Sequence, residues 1–251
     1  MTTLSYTIGV LALQGAFREH LEHLQRAVAA ADLAAYSFSL LEVKTPEQLA
    51  QCSALVVPGG ESTSMSLIAE RTGMLEPLRE FVASKPAWGT CAGLILLASE
   101  IHNARPHQKA LGGMDICVAR NAFGRQLESF EEACDFSDFA PGVTAFKTVF
   151  IRAPVVSAVR KGADFVSVGP KKMHRPNVCS FQEGEKTLTS FDLVVKAECE
   201  NTAPVEVLHS LPNGLVVAVR QGNKLGTSFH PELADDCSFH HWFVKEFVVG
   251  H

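Results

Sequence analysis

The sequence has no C-x-x-C pair, no basic tract, no internal repeat and no low-complexity stretch. Its seven cysteines, at 52, 91, 117, 134, 179, 199 and 237, form an odd set without zinc-type spacing. That pattern fits reduced thiols in the cytosol better than a disulfide frame or a metal site. No apolar run approaches the ~20 residues that span a bilayer. The first residues, Met1 to Tyr6, lack the charged and apolar regions of a signal peptide. A cytoplasmic location with no membrane partner is therefore expected. A net charge of -5 argues against a nucleic-acid partner. The 12 prolines and 18 glycines are spread out rather than gathered into a linker, so the 251 residues, 47% hydrophobic, are read as one large α/β domain over 1–251.

What is present is organised around Gly89-Thr90-Cys91-Ala92-Gly93. Lys85 to Trp88 reads as a short buried strand, and Leu94 to Ala98 starts a helix. A cysteine on the sharp turn between them stands clear of the sheet. Gly89, Ala92 and Gly93 let the backbone turn and let a substrate approach. The helix N-terminus directs free N–H groups at the sulfur, which favours the thiolate.

Upstream, Tyr6 to Leu13 is a near-continuous apolar run of the kind buried in parallel sheets. The following helix carries Phe17, Leu21, Leu24 and Val28 on one face, and its polar Arg18, Glu19, His20, Glu22 and His23 are read as a solvated face. Further strands are expected over Tyr36 to Val43 and Ser53 to Val57. The latter runs into Pro58-Gly59-Gly60-Glu61-Ser62-Thr63, where Ser or Thr caps would open a helix and two glycines would form a nest of N–H groups. Past the elbow helix, segments 112–119, 125–136 and 148–151 suggest mixed or antiparallel additions to the sheet. Arg120 and Arg152 lie beside turns there, well suited to a carboxylate if a cleft is near. Strands return at Val205 to Leu208 and in a hairpin from Gly214 to Phe229. The C-terminal helix buries Phe239, Trp242, Phe243 and Phe247, with His240 and His241 expected at its surface.

A thiolate nucleophile needs a base, and the base needs a third group to fix its tautomer. His230 and Glu232 are two apart at the end of the last strand, and residues i and i+2 of an extended chain project to the same side. Glu232 would then hold one imidazole nitrogen of His230 while the other faces Cys91. No further His or Cys near this pair falls at metal-ligand spacing, so neither a metal nor a cofactor is expected.

Elbow, glycine nest and H-P-E in this order resemble the class I, triad-type glutamine amidotransferases. Within them the chain resembles the glutaminase subunits of pyridoxal 5′-phosphate synthase, the PdxT/SNO family. The resemblance rests on LALQGAFREH (11–20), VVPGGESTSM (56–65), WGTCAGLILLA (88–98), RNAFGRQLESF (120–130), FIRAP (150–154) and FHPEL (229–233). The main departure from compact members is an inserted segment at about 155–204, read as a loop or small β excursion.

The resemblance implies a three-layer α/β fold with a flavodoxin-like core: a mostly parallel central sheet with helices on both faces. It implies glutamine hydrolysis by a Cys91–His230–Glu232 triad through a glutamyl thioester, with Gly60 and Ala92 N–H groups meeting the oxyanion. Gly60, Glu61, Ser62, Arg120, Ile151 and Arg152 would line the glutamine pocket. Ammonia would pass to a separate synthase subunit as protein partner. Three other readings remain open at this point: a glutaminase serving another acceptor, a silent regulatory subunit, and a DJ-1-like cysteine protein.

Overall fold

The computed structural model describes residues 3–120, 129–169 and 193–250. The chain opens with β1 (Leu4–Leu11), α1 (Phe17–Val28), β2 (Tyr36–Val43), α2 (Pro46–Ala50) and β3 (Ala54–Val57). Then come α3 (Ser62–Arg71), α4 (Leu75–Ser84), β4 (Ala87–Thr90) and, directly after Cys91, α5 (Ala92–Leu97). Strands β5 (Ala98–His102), β6 (Met114–Ala119), β7 (Ser129–Cys134) and β8 (Phe146–Ile151) follow. Next are β9 (Val155–Lys161), β10 (Asp164–Ser167) and β11 (Val195–Lys196). The last strands are β12 (Val205–Ser210), β13 (Val216–Gln221) and β14 (Lys224–Thr227). Helix α6 (Ser238–Phe243) continues as a π-helical turn, Val244–Val249.

Among the described residues, twelve strands form one sheet, and its site-bearing half, β2-β1-β3-β4-β14, is parallel throughout. From β14 the order continues antiparallel through β13 and β9 to β6, which pairs parallel with β5. Strands β7 and β8 make a separate antiparallel pair. Of the segment 155–204, β9 lies inside the main sheet between β6 and β13, β10 pairs with β9, and β11 pairs with β5. Residues 170–192 lie outside the described residues, as do 121–128, which include Arg125 and the start of the strand expected at 125.

Alternation along β3 builds the layers. Leu55 and Val57 join α2 to α5 in one apolar cluster, while Ala54 and Val56 join α1, α6 and the β7–β8 pair in the other. All four residues are fully buried, and each buried aliphatic side chain of Val or Leu size contributes roughly 1.5–3 kcal/mol. Helices thus cover both faces, as an α/β three-layer fold requires.

Two expectations fail on burial. His20 is 0% and His23 7% exposed, so the polar side of α1 is not simply solvated; α6 packs on α1, and His20 meets it. His240 is also 0% exposed, facing α1 rather than water, whereas His241 is partly exposed and bonds Asp32.

Phe239 of α6 sits among five rings (Trp88, Phe136, Phe146, Phe229 and Trp242) at centroid distances of 5.2 to 5.7 Å. Phe239→Ala leaves a cavity that this rigid aromatic cluster cannot close. A loss of ~3–5 kcal/mol is expected, read from the midpoint of urea unfolding.

Candidate active site

Strands β4 and β14 run parallel with Thr90 opposite Thr227, and the Cys91 N–H donates to Thr227 O at 2.8 Å. Both strands therefore end at the same level of the sheet. Cys91 turns the chain from β4 into α5 at φ +49 and ψ -102, a conformation that costs a non-glycine residue ~1–3 kcal/mol. The flanking glycines act chiefly through packing. A Cβ on Gly93 would lie 1.9 Å from Val57 O, and one on Gly89 would lie 2.5 Å from the Gly93 carbonyl. Their absence of side chain lets α5 seat directly on β3 and β4, a tighter reason than the substrate access read from the sequence.

His230 follows β14 in a loop, its N–H donating to Val149 O of β8 at 2.8 Å. Pro231–Leu233 forms one 3-10 turn, so Glu232 reaches His230 across a tight bend rather than along an extended strand. The expected contact is present although the expected backbone is not. The His230 Nδ1–H donates to Glu232 Oε1 at 2.7 Å, which leaves Nε2 for Cys91. A Cβ on Gly59 would stand 2.4 Å from His230 Cε1 and 3.5 Å from Cys91 Cβ, so the nest closes over both groups. Burial of His230 opposes its protonation, but hydrogen bonds to Cys91 and Glu232 outweigh that and hold its pKa up at about 10.

The nest is fixed from the β1–α1 turn. The Ala16 N–H donates to Gly59 O at 3.1 Å, and the Glu61 N–H donates to Gln14 Oε1 at 2.9 Å. The cap of α3 is Glu61, not the expected Ser or Thr: its carboxylate accepts from the N–H groups of Thr63 and Ser64. Partial burial works against its ionisation, but the Ser64 and Thr63 hydrogen bonds prevail and hold its pKa at about 2. Ser62 is buried and its Oγ accepts from Gln108 Nε2 at 3.0 Å. Arg120 is 8% exposed and committed to the same wall, donating to Glu61 Oε1 at 3.1 Å and Gln108 Oε1 at 2.7 Å.

A cleft of about 470 Å³ opens above Cys91. Gly60, Glu61, Ser62, Ala92, Arg120, Ile151 and Arg152 all line it, while His230 and Glu232 are buried outside the lining, behind Cys91. Ile151 presents its carbonyl oxygen 4.0 Å from Cys91 Sγ. Sequence reasoning missed Thr63, Ile95 and Arg105 in the lining and the bracing glutamines Gln14 and Gln108. Gln14 was within reach, at the carboxyl end of β1; nothing in the pattern distinguishes Arg105 from a solvated loop arginine. Among the described residues, Glu100, His102 and Cys117 form a set of metal-type side chains within 4.8 Å of one another. They line no part of the cleft, and Lys196 already holds Glu100 at 2.8 Å.

The profile of the SNO glutamine amidotransferase family matches residues 10–193 and 193–249. The chain belongs to that family. Within it, pyridoxal 5′-phosphate synthase subunit SNO1 of Saccharomyces cerevisiae is 45% identical, over 96% of this chain and 92% of its own length. Subunit PdxT of Corynebacterium jeikeium is 41% identical over 95% of both chains. A crystal structure of a glutamine amidotransferase superposes with TM-score 0.66 at 36% identity, covering 97% of this chain and 99% of the other. The α/β sheet is thus the fold of this family. No helix among the described residues is long and apolar enough to cross a membrane.

Protonation of His230 favours the folded chain. Because its folded pKa lies above the ordinary 6.5, the imidazolium stabilises the fold fully below pH 6.5 and that contribution is lost as pH rises through about 10. Glu232→Gln removes one of its anionic supports. The imidazole titration, followed by NMR on the Cε1 proton, is expected to move down from about 10 towards 6.5.

Proposed function

We propose that this chain hydrolyses L-glutamine to L-glutamate and ammonia, with residues 1–251 acting as one glutaminase domain. The ammonia is delivered to a separate pyridoxal 5′-phosphate synthase subunit. What carries the reading is His230, hydrogen-bonded on one side to Glu232 at 2.7 Å and on the other to Cys91, which lines a cleft with charges of both signs.

Glutamine places its side-chain carbonyl over Cys91, and the thiolate attacks the carbonyl carbon. The developing oxyanion is met by the N–H groups of Ala92 and Gly60, each such donor lowering the barrier by ~3 kcal/mol. The His230 imidazolium gives its proton to the leaving nitrogen, ammonia departs, and a glutamyl thioester remains on Cys91. Neutral His230 then takes a proton from water as the oxygen attacks the thioester, and glutamate leaves with the thiolate restored. Glu232 holds the imidazole in one tautomer and orientation throughout.

At the far end of the substrate, Glu61 supplies the negative charge for the α-ammonium. Arg120 is engaged by Glu61, so it acts as support for that wall. Arg105 and Arg152, which make no ion pair among the described residues, supply positive charge for the α-carboxylate. The orientation of the Gly59–Gly60 peptide, and with it the Gly60 N–H, is governed by the β1–α1 turn through Ala16. If docking of the synthase subunit shifts this turn, the peptide reorients and the oxyanion site is completed. The free thiols at 52, 91, 117, 134, 199 and 237 support a reducing compartment, the cytoplasm.

Cys91→Ala is expected to lower glutamate release at least ~1000-fold; survival of turnover would remove the nucleophile from the scheme. Glutamate release by the unaltered chain is expected to rise on adding the synthase subunit, and equal rates with and without it would refute the coupling. Arg152→Ala should raise KM for glutamine well beyond its effect on kcat, since it removes ground-state binding.

A further inference from the structure

The two carboxylate oxygens of Glu232 meet different surroundings. Oε1 takes the His230 Nδ1–H. Oε2 is buried, accepts no well-directed hydrogen bond among the described residues, and lies 3.3 Å from His20 Nε2. That same nitrogen is 3.1 Å from Thr90 Oγ1, on the residue just before the nucleophile. One atom of α1 is therefore within reach of both halves of the catalytic group: the acid after β14 and the elbow after β4. On the far side, His20 Nδ1 lies 2.9 Å from His240 Nε2 of α6. Both imidazoles are 0% exposed and pack edge-on to Trp88 at 5.7 and 5.0 Å.

The hydrogen-bond pattern selects one tautomer for each ring. Burial holds both histidines below their ordinary basicity, His20 despite the pull of Glu232, so each carries a single N–H. Suppose the His20 proton is on Nδ1. Then His20 presents a lone pair to the Glu232 oxygen, and His240 must keep its own proton on Nδ1, a buried atom with no partner. With the proton on His20 Nε2 both faults vanish: the N–H is directed at Thr90 Oγ1, the Glu232 Oε2 atom lies beside that donor nitrogen at 3.3 Å, and Nδ1 accepts from the His240 Nε2–H. The unpartnered His240 Nδ1 is then a bare acceptor, which a protein interior tolerates better than an orphaned donor.

We propose that His20 is a positioning residue of the triad, its Nε2–H bonded to Thr90 and its positive end holding the nearby Glu232 carboxylate, so that Glu232, His230 and Cys91 align, with His240 fixing its tautomer. The inference rests on the glutaminase reading above. His20 lines no part of the cleft and touches no substrate. Its loss leaves glutamine binding in place and lets the Glu232 carboxylate turn, which misaligns His230 in the step that needs it.

The test is glutamate release from L-glutamine in the presence of the synthase subunit, comparing His20→Leu, His20→Asn and His20→Gln, with thermal unfolding as the check on folding. Leu fills similar space without a donor. Asn places its amide near the Nδ1 position, short of Glu232, whereas Gln extends a donor to the Nε2 position. Leu and Asn are expected to lower kcat by ~10- to 100-fold with KM within ~3-fold, and Gln to recover most of that loss. Should the Leu variant fail to fold, the Asn–Gln contrast decides. Wild-type kcat in a folded Leu or Asn variant, or a Gln variant as slow as Asn, would overturn the proposal. Cys91→Ala, run alongside, separates the two levels: turnover surviving there refutes the triad itself, while its loss together with indifferent His20 variants refutes only the role given to His20.

Discussion

The parallel pairing of β4 with β14 is the constraint on which the chemistry depends. Thr90 stands opposite Thr227, and the next residue on one side is Cys91, the proposed nucleophile, while the loop on the other carries His230, the proposed base. A slip of one residue would turn every side chain of a strand to the other face and separate the sulfur from the imidazole. The pairing is reinforced from below, where the Trp88 Nε1–H donates to Thr227 Oγ1 at 3.1 Å and α6 packs its aromatic residues against Trp88. Catalytic geometry is in this sense a property of the core.

Charge in the cleft is arranged in a linked wall rather than as independent contacts. Glu61 takes four hydrogen bonds or ion-pair contacts from its own helix terminus and from Arg120, and Arg120 is tied in turn to Gln108. The carboxylate is thereby fixed as an anion and fixed in place, the condition for orienting a zwitterionic substrate without reorganisation. Of the two arginines that the sequence marks, Arg120 is already engaged by Glu61, and the arginines open to the cleft are Arg152 and Arg105.

Much of this was legible in the sequence because it is local. The apolar runs of β1 and β3, the Thr45-Pro46 opening of α2 and the strand–Cys–helix turn each declare themselves within ten residues. The spacing pairs Glu232 with His230 through an extended chain, whereas Pro231 in fact begins a 3-10 turn that makes the same contact. His20 and His240 depart from the expected solvated faces for a different cause. Helical periodicity marks them as polar positions, and only the packing of α1 against α6, 220 residues apart, turns two polar positions towards each other in the interior. Interhelical contacts of that separation leave no trace in local pattern, and neither does the capping of α3 by Glu61 in preference to the neighbouring Ser and Thr.

The left-handed backbone at Cys91 has a consequence for how such a protein ages under selection. Glycine would occupy that turn without steric cost, so the most comfortable residue for the fold at this site is one that performs no chemistry. A lineage screened only for heat resistance would drift towards glycine there and become hardier as it fell silent. In the proposed chemistry the β-carbon held at so unfavourable a torsion is what carries the sulfur to the substrate.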